Sequence, residues 1–442
     1  MNFVNRLRAS SMHTLLFVVF LIMQSEQALA VRYVEDDIVF IATPKKKTAI
    51  FAKDEKIVYK VDVKNNLGAT QEGTIGYAIM DLKDKVLNKG TIDVKLTKGA
   101  SNNYTLNMPS QGTGFYRLHI IINVTEYDDT LKRVFGVNPE DIRSNAPRPA
   151  DFDKFWQNGL DSLAKIPLRT TITLQPNLER DGLNCYLVEI QSWGNVTVRG
   201  WLTMSKNIKP GKKLPVWLVV PGYGGTGVKP VYADGGLAVF AFNIRGHGNS
   251  KDIINPSREG YLTTGIQNKY KYILRGAILD VIRAVDFITS RPELDENNII
   301  CSGGSMGAYL TIAVSSLDKR IKICSANNPV FSDYRSLVGS GDWPMETIQK
   351  YSSQMRIPLA TILDNLDYYD LKNFAYNLEC ESLIAISLLD PLAPPATEYA
   401  MLNNIKNRKI YKLFIYPNLA HEVPPPLFKY LIQWTMDQFG MF

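Results

Sequence analysis

Gly303-Gly304-Ser305-Met306-Gly307 is the segment of this 442-residue chain best suited to nucleophilic chemistry. It matches G-x-S-x-G, a weak signal alone that gains weight from its setting. Ile299-Ile300-Cys301 precedes it as an apolar strand, and residues 308–314 follow with helical character. A strand, a sharp turn and a helix hold a serine on a strained elbow, and small flanking residues let the turn pack against neighbouring backbone. The helix behind Ser305 also directs its positive end toward a developing oxyanion. The alternative is a plain glycine-rich turn between a strand and a helix.

A serine hydroxyl is a poor nucleophile without a base. The histidines are His13, His119, His247 and His421. His13 falls in a leader segment and His119 in an all-β half. His421 alone follows Ser305, which is the chain order of hydrolases built on such an elbow. It sits just past the strand-like run 410–416. The base in turn needs an acid that fixes its tautomer and stabilises imidazolium. Asp390 ends the apolar run 383–389, and open α/β sheets gather their sites at strand carboxyl ends. Asp333, Asp342, Asp370 and Glu422 are rivals, and turn capping is the alternative role for Asp390. An oxyanion hole takes two backbone N–H donors. Met306, next to the nucleophile, is one. Tyr223, in Pro221-Gly222-Tyr223-Gly224-Gly225 after the strand 216–220, is the other. That loop lacks the Gly-Lys-Ser/Thr ending of a phosphate-binding P-loop.

Two kinds of patterning supply the scaffold. Residues 31–137 alternate with period two, as in Ile57, Tyr59, Val61 and Val63, and in Tyr116, Leu118, Ile120, Ile122 and Val124. Seven or so strands of this kind predict an immunoglobulin-like β-sandwich. Residues 138–149, with Pro139, Pro147 and Pro149, read as a linker. From 138 to 442 near-continuous apolar strands alternate with helical stripes such as Ile273, Ala277, Ile278, Val281, Ala284, Val285 and Ile288. That pattern predicts an α/β fold, a mostly parallel sheet covered on both faces. Residues 332–377 are too long for an ordinary connection and predict a helical insertion over the site.

Lys and Arg total 50 against 43 Asp and Glu, a formal charge of +7. Over this length the bias is mild and without a long basic run, so nucleic acid is not an expected partner. A hydrophobic share of 45% and a charged share of 21% exclude wholesale disorder. Four cysteines exclude a disulfide-stapled scaffold, and Cys301 and Cys324, inside apolar runs, read as buried free thiols. Residues 1–30 read as a secretory signal peptide: Arg6 and Arg8, an apolar run from Leu15 to Met23, and cleavage after Ala28-Leu29-Ala30. The expectation is a secreted or periplasmic protein. The run is far short of the roughly 20 residues that a membrane span needs, so no stable membrane anchor is expected.

Taken in order, these segments resemble carbohydrate esterase family seven, the acetyl xylan esterases and cephalosporin C deacetylases of the α/β-hydrolase superfamily. Residues 221–225 resemble the family's His-Gly-Tyr-x-Gly loop, with Pro221 where histidine is usual. Arg245-Gly246-His247-Gly248-Asn249-Ser250 resembles Arg-Gly-Gln-x-x-Ser, with His247 in place of glutamine. Residues 303–308 resemble Gly-Gly-Ser-Gln-Gly-Gly, with Met306 and Ala308 departing. Residues 390–397 resemble its acid loop, with Ala393 where cysteine is common, and His421-Glu422 fits its end. The likeness covers about residue 140 onward.

The resemblance implies Ser305, Asp390 and His421 as a catalytic triad, Tyr223 and Met306 as oxyanion donors, and no metal or cofactor. It implies a serine esterase that removes acetyl groups from acetylated xylan or xylo-oligosaccharides through an acyl-enzyme. The family often assembles as hexamers, so a homo-oligomer is among the expectations. Tyr223 and Trp343 are candidate substrate-binding residues. The insertion, with Trp343, Tyr351, Tyr368 and Tyr369, is a candidate wall and sugar-stacking surface, with core packing as the alternative for its aromatics. The other readings are a different α/β-hydrolase, a feruloyl esterase or peptidase, and a noncatalytic carbohydrate-binding protein.

Overall fold

The computed structural model describes residues 37–233, 236–252 and 254–440. The expected signal peptide, residues 1–30, lies outside the described residues. Among those described, no helix is long and apolar enough to cross a membrane.

Alternation builds the first half. Ile57, Tyr59, Val61 and Val63 are buried, while Lys60, Asp62 and Lys64 are exposed. Successive strand residues point to opposite faces, so each such stripe can bury only one side. Strands β1 (Ile38–Pro44), β3 (Ile57–Asn65) and β6 (Ser101–Met108) form one sheet, in the order β1-β3-β6. A five-stranded sheet has the order β2-β8-β7-β4-β5, from β2 (Ile50–Phe51), β4 (Gln71–Met80), β5 (Val86–Leu96), β7 (Gly114–Val124) and β8 (Tyr127–Val137). Their buried stripes, Val61 and Val63 from one and Leu118, Ile120 and Ile122 from the other, belong to one core. His119 lies off the β7 stripe and is half-buried.

The second half is a nine-stranded mixed sheet with the order β17-β16-β15-β14-β12-β13-β11-β10-β9. Its parallel part runs from β12 (Leu214–Val219) and β13 (Ala238–Asn243) through β14 (Leu294–Gly304), β15 (Ile321–Asn327) and β16 (Glu381–Ser387) to β17 (Tyr411–Tyr416). Beyond β13, the strands β11 (Val196–Ser205), β10 (Leu183–Ser192) and, at the edge, β9 (Thr170–Leu174) are antiparallel and were not expected from the sequence. β10 mixes polar and apolar residues with half-exposed positions, and β9 has no buried residue. Neither therefore shows the solid apolar run that marks the central strands.

Helices cover both faces, as continuous apolar strands require. They are α1 (Phe152–Ala164), α2 (Arg258–Thr263), α3 (Ile273–Thr289), α4 (Met306–Leu317), α5 (Met345–Met355), α6 (Leu359–Leu366), α7 (Leu371–Ala375), α8 (Pro395–Leu402) and α9 (Pro425–Gln438). Leu427, Leu431 and Trp434 of α9 pack on Ile300, Ile323, Leu383 and Ala385. The alternate strand residues Ile299, Cys301, Cys324 and Ile384 join the main core on the opposite face with α3 and α4. The expected insertion is helical: α5, α6 and α7 lie between β15 and β16.

The stretch 138–149 is a strap fastened along its length. Asn403 Nδ2 donates to the carbonyls of Pro139 at 2.8 Å and Ile142 at 3.0 Å. Arg148 Nε donates to the Asn373 carbonyl at 3.0 Å, and the Ser144 hydroxyl donates to the Asp333 carboxylate. The sandwich itself meets α8, where the Phe115 ring lies 5.4 Å from that of Tyr399.

Candidate active site

β14 ends at Gly304 and α4 starts at Met306, so Ser305 alone makes the turn. Its φ of 59° and ψ of −123° are rarely adopted by a residue with a Cβ. The Ser305 N–H is anchored on the Asn327 carbonyl at 2.9 Å. The flanking glycines are obligatory by contact. A Cβ at Gly303 would sit 2.6 Å from the Gly307 carbonyl carbon, and one at Gly307 would sit 2.8 Å from the Val220 oxygen.

The strand order places this elbow at a switch point. β13 lies on one side of β12 and β14 on the other, and ligands of open α/β sheets bind at such a crevice. The loop after β12 passes the elbow closely: a Cβ at Gly222 would be 3.5 Å from the Gly304 oxygen and 4.0 Å from Ser305 Cβ. Tyr223 follows it. Met306 opens α4, where main-chain N–H groups have no acceptor within the helix.

Asp390 lies beyond β16 and His421 beyond β17, so both emerge at the same edge as Ser305. His421 Nδ1 is 2.6 Å from Asp390 Oδ2. Oδ1 of Asp390 accepts the N–H groups of Leu392 at 2.8 Å and Ala393 at 2.9 Å. The carboxylate is fully buried, whereas the imidazole is 23% exposed. With Nδ1 committed to Asp390, Nε2 is the nitrogen left for proton transfer. Three contacts fix the loops around this pair. Leu389 N–H donates to the Leu419 carbonyl at 3.0 Å, and Ser387 Oγ and Asn328 Nδ2 donate to the Glu422 carbonyl at 2.7 and 3.1 Å.

The acetyl xylan esterase (AXE1) family model matches residues 139–438. The chain belongs to the acetyl xylan esterase family. It is 27% identical over 418 residues to the acetyl esterase Axe7A of Xylanibacter ruminicola, an alignment that covers 90% of this chain and 91% of that one. It superposes on the acetyl xylan esterase from Paenibacillus sp. R4 with a TM-score of 0.62 at 26% identity, covering 68% of this chain and 98% of the other. Acetyl xylan esterase 1 from Thermoanaerobacterium sp. JW/SL YS485 shares the fold, with a TM-score of 0.61 at 21% identity over 68% of this chain and 97% of the other. Acetyl xylan esterases are carboxylic ester hydrolases, and so is this member.

The other candidate residues lie elsewhere in this acetyl xylan esterase family member. Asp370 is buried against Lys372 and accepts main-chain N–H groups of Asp333 and Tyr334, while the Asp342 and Glu422 side chains are exposed. None is brought to His421 as Asp390 is. His247 is buried, packed edge-on to Tyr261 at 4.8 Å, and burial pushes its imidazole down to about 4. Its loop is held by Arg245, whose Nε and Nη2 reach the two Asp280 carboxylate oxygens at 2.8 and 2.7 Å.

The aromatics of the insertion divide. Trp343 is half-buried, with its ring 5.2 Å from that of Tyr223. Tyr369 is buried against Trp156 and Tyr272, Tyr368 packs on Phe155, and Tyr351 bonds Gln267 at 3.3 Å. Of the two alternatives for these aromatics, Tyr369 takes core packing, while Trp343 packs on Tyr223 of the loop after β12.

Two residues near the site carried no signal in the sequence. Phe331 packs against Trp343 at 5.4 Å and Tyr223 at 6.4 Å. Glu398, on α8, is fully buried, and neither carboxyl oxygen has a hydrogen-bond partner among the described residues. Burial first, and the neighbouring Asp390 charge second, push its carboxyl well above the usual range. Among the described residues, no cluster of His, Cys, Asp and Glu is suited to hold a metal ion. The four cysteines are free, and burial pushes the Cys301 thiol up to about 12.

Proposed function

We propose that this acetyl xylan esterase family member is a serine esterase that removes acetyl groups from acetylated xylan or xylo-oligosaccharides. The carrying observation is the 2.6 Å contact between His421 Nδ1 and Asp390 Oδ2, at the edge where the strained Ser305 elbow emerges. Ser305 Oγ attacks the acetyl carbonyl while His421 Nε2 takes its proton. Asp390 holds the tautomer and stabilises the imidazolium. The N–H groups of Tyr223 and Met306 receive the oxyanion. Collapse expels the sugar alkoxide, which His421 protonates, and leaves acetyl-Ser305. Water, deprotonated by His421, then releases acetate and restores the serine.

The reading extends to a protein exported by its leader and acting outside the cytoplasm or in the periplasm. It takes the all-β half as an immunoglobulin-like accessory to the hydrolase, and a homo-oligomer as the working form. Two measurements test the core of it. Ser305→Ala should abolish both p-nitrophenyl acetate turnover and fluorophosphonate labelling while circular dichroism stays native-like. Acetate should be released from acetylated xylo-oligosaccharides. Turnover by the alanine variant sinks the nucleophile, and a preference for feruloyl esters sinks the substrate class.

A further inference from the structure

We propose that Phe331 sets the length of acyl chain that this esterase accepts, an inference that rests on Ser305 as nucleophile. Phe331 comes from the loop after β15 and Tyr223 from the loop after β12, the strands on either side of the one that carries Ser305. Their rings meet at 6.4 Å, and Trp343 completes the set at 5.4 Å from Phe331 and 5.2 Å from Tyr223. Ring contact therefore spans the nucleophile's strand. His421 approaches from another direction, because its loop follows β17, two strands beyond β15. A bound ester turns its carbonyl oxygen to Tyr223 and Met306 N–H and its leaving oxygen to His421. The acyl chain takes the remaining direction, toward the three rings.

That wall is stiff. Phe331 has a φ of 64°, a conformation that a bulky residue seldom adopts, and is 2% exposed. Its carbonyl accepts the Leu371 N–H at 2.9 Å. The Asp370 carboxylate accepts the N–H groups of Asp333 at 2.8 Å and Tyr334 at 3.0 Å, and Lys372 Nζ sits 3.1 Å from Asp370 Oδ2. Tyr309, 5.3 Å away, and Tyr334, stacked at 6.1 Å, also pack against the ring. A ring held this way does not swing aside for a longer chain. Refusal of one methylene in such a pocket changes kcat/KM by about 10–200-fold.

The experiment measures kcat/KM for p-nitrophenyl acetate, propionate and butyrate with the wild type, Phe331→Ala, Phe331→Leu and Trp343→Ala. Phe331→Ala should raise the butyrate-to-acetate ratio at least about tenfold, with Phe331→Leu between it and the wild type. A ratio taken within one preparation is independent of how much enzyme is folded. If the alanine variant fails to fold, the milder leucine variant decides. An unchanged ratio, or a shift confined to Trp343→Ala, overturns the proposal. Fluorophosphonate labelling of the same preparations separates the two readings. Labelled enzyme with an unchanged ratio sinks Phe331 alone, whereas an unlabelled wild type sinks the nucleophile.

Discussion

Replacing Asp390 by asparagine removes a charge and almost no volume. The amide oxygen can still accept the N–H groups of Leu392 and Ala393, as Oδ1 does at 2.8 and 2.9 Å. The amide nitrogen then faces His421 Nδ1 across the 2.6 Å contact. A donor there forces Nδ1 to accept, and the ring proton moves to Nε2. In that tautomer Nε2 cannot take the Ser305 proton. Loss of one charge-assisted hydrogen bond would cost about 1.5–3 kcal/mol, roughly 10- to 150-fold in rate. A wrong tautomer costs far more, about 10⁴ in kcat, equivalent to about 5.5 kcal/mol. The expected result for Asp390→Asn is therefore a kcat on p-nitrophenyl acetate lower by about 10⁴, with KM within a few-fold and a thermal midpoint near wild type. A fall of less than about 100-fold would refute the tautomer argument, since a lost hydrogen bond would then suffice.

Glu398 makes stability depend on pH in the sense opposite to a salt-bridged carboxylate. Its carboxyl is raised by burial above the unfolded value of 4.5, so the folded state holds the proton longer and stability falls as pH rises from there toward the folded value. Glu398→Gln should flatten the decline of thermal midpoint above pH 4.5, and parallel slopes in the two proteins refute the burial argument. His247→Gln should keep most esterase activity, because the imidazole is neutral and packed on Tyr261, whereas His421→Ala should lose it. Equal losses in the two variants would show that the base has been misassigned.

The placement of Ser305, Asp390 and His421 at strand ends was legible because each follows a largely apolar run, and such runs are the strands of a parallel sheet. The loop of Tyr223 was legible for the same reason. The antiparallel strands β9, β10 and β11 were hidden because their half-exposed positions blur the run into mixed composition. Phe331 was hidden because its importance comes from rings on two other segments, at residues 223 and 343, which no local window contains. Glu398 stands in the first turn of α8, a common place for an acid, and only the packing around that helix takes it out of water. The aromatics of residues 343–369 could not be sorted from sequence, since a ring bound for the core and a ring bound for a cleft have the same composition.

The joint between the halves bears on whether the hydrolase can be moved as a cassette. α8 begins a few residues after Asp390, and its Tyr399 is covered by Phe115 of the sandwich. Asn403, just past its end, grips the strap at Pro139 and Ile142. A graft cut at residue 138 would carry the strap but strip one wall from the helix behind the acid, baring a tyrosine face to water. The exchangeable unit is therefore the pair of halves together, and a new carrier would have to offer α8 a ring where Phe115 now lies.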